Sequence, residues 1–327
     1  MIFGQLNMRR IIRTLILIPI LALLGVVFFS LAISISTEKT LSENLIAVPD
    51  VEIDWLTKLN SYRIGSGVNP VKESGRISKA AQAHADYLAS TDQSYLVGKY
   101  QNLHKENPKS PFASKNGATI GAGDIAWTFG KNASAVDSLM TAPFHAIGLL
   151  RENLVNVGFG TAVAGETSFS PNSRITNIGI IEGLSAKSRK KVILFPGPNF
   201  VTHLNSFAGE NPEPREVCGK QFKEFTGLPI FASLLHKPNK NLKVSLETPS
   251  GDIVSVGPEL CVVTESNFIS TDLIYGPAGK SIIRSEHLVL IIPKSPLSEG
   301  EQKIRISEKG RPDLHWSFTY KPEKLAP

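Results

Sequence analysis

Short catalytic signatures are missing from this 327-residue sequence. It has no HExxH, no Gly-x-Ser-x-Gly elbow, no Walker loop and no Gly-x-Gly-x-x-Gly turn, so the zincin, α/β-hydrolase, P-loop and dinucleotide-binding classes gain no support. A dense Lys/Arg block interleaved with aromatics is missing as well. The 35 basic residues exceed the 29 acidic ones by only +6, and no nucleic-acid partner is expected. No internal repeat or long low-complexity segment is present. With 42% hydrophobic residues the chain can bury a sizeable core, is neither disordered nor collagenous, and has the length of about two domains.

Cysteine is scarce: Cys218 and Cys261 are the only two. In an exported chain they permit one pairing and read as a disulfide, the alternative being two buried free thiols. Neither sits beside a histidine in a recognisable nucleophilic pattern.

Export is indicated at the N-terminus. Arg9, Arg10 and Arg13 precede an almost uncharged run from Thr14 to Ser36, long enough to cross a hydrocarbon layer of ~30 Å. Residues 1–36 therefore read as a signal anchor or a signal peptide. The length of the run favours an uncleaved anchor, although Ala32-Ile33-Ser34 and Ser34-Ile35-Ser36 are tolerable cut sites. The basic flank places the rest of the chain outside the membrane, secreted or anchored to it.

Residues 37–49 form a polar spacer. From Asp50 as a cap, Val51, Trp55, Leu59 and Tyr62 recur at helical spacing until Gly65 and Gly67. A second helix from Ser74 presents Ile77, Ala80, Ala81, His84 and Leu88, small enough for a neighbour to approach closely. Within that face His84 reads as a satisfied core histidine. A third helix starts near Ser134 and is stopped by Pro143. The long stretch from Asp92 to Lys131 is rich in Gly, Asn, Ser and Pro, and a loop of that length is usually functional or holds short irregular elements. Strand patterns follow at Val157–Gly160, Ile178–Ile181 and Val192–Phe195. Helices first and strands later predict an α+β domain over residues 50–195.

Four prolines, Pro196, Pro198, Pro212 and Pro214, suggest a stiff linker over 196–214. Beyond it, residues 215–327 alternate with a period of two at Leu242/Val244/Leu246, Ile304/Ile306 and Trp316/Phe318/Tyr320. That pattern predicts a small all-β sandwich.

Candidate chemistry gathers on two histidines. His104 lies in a loop with no packing pattern to serve, and Glu106, two residues on, would share its side if the segment is extended. His145 follows Pro143. Two imidazoles and a carboxylate make a credible acid/base or divalent-metal set, with a hydrogen-bonded pair lining a groove as the plainer alternative.

Several ordered motifs also carry a resemblance. Leu59-Asn60-Ser61-Tyr62-Arg63, Gly67-Val68-Asn69-Pro70-Val71, Ala80-Ala81-Gln82-Ala83-His84-Ala85, His104, the Met140–Leu150 segment and Val157-Gly158-Phe159-Gly160 resemble the bacterial branch of the CAP superfamily. These are the SCP-like proteins, named for cysteine-rich secretory, antigen 5 and pathogenesis-related members. Over about residues 50–195 the resemblance implies an α-β-α sandwich whose large cleft holds two histidines and acidic residues, a set that binds divalent metal in some members. His104 and His145 match the two histidines. The family's Gly-Glu-Asn-Ile-Ala motif falls on Gly121–Ala126, where the glutamate is replaced by Gly123 or, with a shift of one, by Asp124. Ala146 departs again, at a position where many bacterial members carry Arg. Residues 200–327 resemble the Ig-like β module that follows the domain in some exported relatives.

Two readings follow. The absence of a nucleophile, base and orienting group together points to a non-catalytic binding or envelope module. Its cleft of His104, Glu106, Asp124 and His145 would take a small molecule, a lipid or a cell-envelope polymer, with no cofactor required. The alternative is a metal-assisted hydrolase of a wall polymer or peptide. It would use a divalent cation such as zinc on His104 and His145, with Glu106 as base or third ligand.

Overall fold

In the computed structural model, which describes residues 54–126, 132–187 and 189–323, the first helix, α1 (Trp55–Gly65), is capped by Asp54, whose side chain accepts from Thr57 N. The expected cap, Asp50, the spacer and the anchor or signal of residues 1–36 lie outside the described residues. Among the described residues no helix is long and apolar enough to cross a membrane.

A short strand β1 (Lys72–Glu73) leads into α2 (Gly75–Ser90), which buries the expected face of Ile77, Ala80, Ala81, His84 and Leu88. The close approach foreseen from its small residues is made by β3 (Asn156–Val163). A Cβ on Gly158 or Gly160 would lie 2.2 or 2.3 Å from the helix backbone, so helix and strand touch main chain to main chain. Side chains alternate along a strand, so Phe159 points to the other face. There Trp55 of α1 stacks on it at 4.9 Å. The two helices thus flank a sheet of order β1-β3-β4-β2, with β2 (Ile125–Ala126) and β4 (Arg174–Gly179), in the α-β-α layering implied by the resemblance. Within the long Asp92–Lys131 stretch lie two 3-10 turns and the short helix α3 (Lys115–Gly121).

Pro143 ends one helix and begins another. Helix α4 (Asn132–Thr141) stops before it, and Pro143 is the first residue of α5 (Pro143–Leu149). Proline is favoured there because its missing N–H would be unpaired in any case. His145 therefore sits in the first turn of a helix and not in a loop.

The C-terminal region holds two sheets. One has the order β11-β10-β14-β15-β6, from β6 (Val201–Thr202), β10 (Lys243–Glu247), β11 (Ile253–Ser255), β14 (Gly300–Ser307) and β15 (Leu314–Tyr320). The other has the order β12-β13-β9-β5, from β5 (Ile193–Phe195), β9 (Ile230–Ser233), β12 (Leu260–Val263) and β13 (Leu288–Pro293). A small pair, β7 (Ser206–Phe207) and β8 (Thr226–Gly227), stands apart. The period-two residues are inward as expected: Ile304 faces Trp316 and Gln302 faces Phe318 across β14 and β15. β13 is buried at every position, because helix α6 (Gly276–Ser285), inserted between β12 and β13, packs on it. The alternation gave no sign of that helix.

The stretch 196–214, expected as a linker, is part of this architecture. Asn199 N donates to Ser317 O, Thr319 N donates to Phe200 O, and Trp316 Nε1 donates to Pro196 O, fastening the stretch along β15. Upstream of it, β5 pairs with β9 and not with the first sheet. One buried apolar cluster runs from Leu59 to Tyr320, so the two regions share a core. Cys218 and Cys261 form the expected disulfide, with Cα atoms 5.4 Å apart and 43 residues between them in sequence. It ties the loop before β8 to β12, and on the chain-entropy account a bridge of this span is worth roughly 4 kcal/mol.

Candidate functional site

Helix α2 places His84 inside the protein. Its Nε2 donates to the Leu103 carbonyl at 3.1 Å, and its Nδ1 meets Glu106 Oε1 at 2.8 Å. The other oxygen of Glu106 accepts from Ser114 N at 2.7 Å, where Ser114 caps α3. Helix α3 can lie over this pair because two glycines face it: a Cβ on Gly117 would be 2.3 Å from Glu106 Oε1, and one on Gly121 would be 2.5 Å from the His84 ring. His84 is thus a buried histidine, as expected, and it is held by polar partners.

Glu106 does not join the cleft. Its side chain is 1% exposed, and it lines neither of the two cavities described below. The expected pairing with His104 presumed an extended segment, but residues 101–105 turn, so the two side chains diverge. The carboxylate that meets His104 is Asp124, at 2.6 Å from Nδ1, with the Gly121 carbonyl at 3.1 Å. Burial by itself would pull the His104 imidazolium down, but the Asp124 hydrogen bond and charge, together with the Gly121 carbonyl, outweigh it and raise the pKa above 6.5.

A raised imidazole pKa contributes stability that is full below the ordinary value and is lost as pH rises through the folded-state value. Thermal melts of wild type and His104→Gln between about pH 5.5 and about pH 8.5 should therefore converge as pH increases. A gap that widens with pH would show that His104 is not held as a cation by Asp124.

His145, from α5, also has a carboxylate on Nδ1, and it is Glu210 at 2.7 Å. The second oxygen of Glu210 accepts from Phe144 N at 3.0 Å. Burial pushes the Glu210 carboxyl up, while the hydrogen bond and charge of His145 and the Phe144 amide oppose it. No local pattern announces Glu210, which is 65 residues from His145 in a stretch read as linker.

Both histidines line a cavity of about 920 Å³. Its walls come from the first region, through Leu103 and Leu139, and from the C-terminal region, through Leu204, Phe225 and Tyr275. A smaller chamber of about 220 Å³ shares His104, His145, Asn211 and Tyr275 with it and is also lined by Asp124. Of the expected cleft set, His104 and His145 stand at the junction of the two spaces, Asp124 lies behind His104, and Glu106 is elsewhere. The donors do not fit a three-ligand metal centre: Glu106, the expected third ligand, is committed to His84, and among the described residues no group of three or more His, Cys, Asp or Glu could hold a metal ion.

Residues 56–177 match the family described as the Cysteine-rich secretory protein family, CAP. No curated protein matches the chain.

Proposed function

With residues 56–177 of this chain belonging to the CAP family, we propose that the protein is an extracytoplasmic binding module, held at the membrane by the apolar run Thr14–Ser36. Its cleft takes a small molecule, a lipid or a segment of an envelope polymer, and the β-rich region after it is an Ig-like module. The cavity of about 920 Å³ carries this reading. It has the size of a typical ligand site, with apolar walls and a few convergent polar groups. Leu103, Leu139, Leu204 and Phe225 supply the apolar surface, and His104, His145 and Glu210 supply the polar groups. Catalysis is not favoured, because both rings hold carboxylates through Nδ1 and neither is hydrogen-bonded to a hydroxyl or thiol among the described residues.

Native mass spectrometry of the full-length chain, extracted from its own cells in detergent, tests the reading. An additional non-covalent mass at one per chain is expected, and it should be lost in Ser138→Trp, where an exposed position lining the cavity is filled by an indole. A folded wild-type chain that retains nothing but hydrolyses solubilised wall polymer would overturn it in favour of a hydrolase.

A further inference from the structure

The cleft histidines are oriented from different parts of the chain. Asp124, behind His104, lies within residues 56–177, whereas Glu210, behind His145, lies outside them. Tyr275 is outside as well. Its hydroxyl accepts from Leu103 N at 2.9 Å, and its ring meets that of His104 edge-on at 6.0 Å. We propose that Glu210 is the positioning residue of His145, and that the C-terminal region completes the cleft by fixing which nitrogen that ring presents to a ligand.

Glu210 uses both of its oxygens. Oε1 accepts from Phe144 N in the first turn of α5, and Oε2 meets His145 Nδ1. Its side chain is 2% exposed, so water is not at hand to replace either bond, while the His145 side chain, 19% exposed, opens on the cavity. An ionised carboxylate, the form that the His145 hydrogen bond and charge and the Phe144 amide favour here, only accepts. The proton in the short contact therefore belongs to Nδ1, and in the neutral ring Nε2 is left bare toward the cleft. His104 is held the same way, since Asp124 Oδ1 and the Gly121 carbonyl are both acceptors on its Nδ1. In their neutral form the rings then offer two acceptor nitrogens where the chambers meet. They suit a ligand that brings O–H or N–H donors, such as a polyhydroxylated or ammonium-bearing group on an apolar body. This ligand class rests on the binding reading above, whereas the positioning role of Glu210 does not.

Glu210→Gln separates the alternatives. An amide has one oxygen and one NH₂, so it cannot accept from Phe144 N–H and His145 Nδ1–H together. The helical amide cannot turn away, but the imidazole can exchange its proton. The ring should therefore switch to the Nε2–H tautomer, with Nδ1 accepting from the new NH₂.

The measurement is a long-range proton–nitrogen spectrum of the full-length chain, labelled with ¹⁵N at histidine in detergent micelles. His145 is assigned by its loss in His145→Gln. The expected result is a proton on Nδ1 of His145 in the wild type and on Nε2, with Nδ1 bare, in Glu210→Gln. His236, whose Nε2 pairs with Glu308, should be the same in both. A bare Nδ1 in the wild type, or a protonated Nδ1 persisting in Glu210→Gln, overturns the proposal. Should Glu210→Gln fail to fold, the wild-type tautomer alone decides. The retained mass in native spectrometry is a separate readout, so an empty cleft with the expected tautomers would sink the ligand class and leave the positioning role standing.

Discussion

Replacing Arg63 by alanine is expected to destabilise the fold by about 3–5 kcal/mol. The side chain is 0% exposed and has no carboxylate partner among the described residues. Its guanidinium instead gathers main-chain oxygens: Nε donates to Asn69 O at 2.8 Å, Nη1 to Leu149 O, and Nη2 to Arg151 O and Leu154 O at 3.2 and 3.1 Å. The last three are the orphan carbonyls at the end of α5 and in the turn after it, which a helix cannot satisfy internally, while Asn69 lies in the loop after α1. Burial pushes the guanidinium down to about 10, so it remains charged at neutral pH. Arg63→Ala leaves four acceptors without their donor, those of Leu149 and Leu154 in buried contacts, and a cavity, whereas Arg63→Lys keeps the charge but lacks the fork and should recover only part of the loss. Urea denaturation of both variants checks this. A cost below about 1 kcal/mol for Arg63→Ala would mean that water replaces the guanidinium.

Glu106→Ala should follow closely, at about 3–5 kcal/mol in the same measurement, because removing one member of a buried polar pair strands the other. Here it strands the His84 ring and also the Ser114 amide that opens α3. The loop position of Glu106 in the sequence suggested a residue near water, for which substitutions stay within about ±0.5 kcal/mol. A result in that lower range would restore the cleft assignment. His104→Gln, on a ring that is partly exposed, should cost distinctly less at pH 7 than Glu106→Ala.

The two variants mark where sequence reasoning succeeds and where it stops. Features written in local periodicity were legible: the faces of α1 and α2, the small-residue contact that admits β3, the alternation of β10, β14 and β15, and the pairing of the only two cysteines. The resemblance over residues 50–195 likewise agrees with the match over 56–177. What failed depended on partners far away in the chain. His145 and Glu210 share no spacing rule, and proline content in 196–214 says nothing of hydrogen bonds to β15. The apolar run at Val192–Phe195 identified a strand but could not say which sheet would take it. Glu106 was misplaced for a local reason, since an extended segment was presumed where the chain turns. The glycine pair Gly117 and Gly121, one helical turn apart, was the available signal that a buried pair lay beneath α3.

The fastening of 196–202 along β15 sets an order on synthesis. A chain made from its N-terminus has α1 and α2 early, but three of the four carbonyls that hold Arg63 arrive 86 to 91 residues later. β6 then waits for β15, its parallel partner, and the Pro196 carbonyl waits 120 residues for the Trp316 indole. The first region cannot settle fully while the last strand is unmade. A chain halted or clipped before Leu314 leaves β6 unpaired and an apolar face uncovered, so truncated products should be recognised as unfolded and not survive as a shorter binding module.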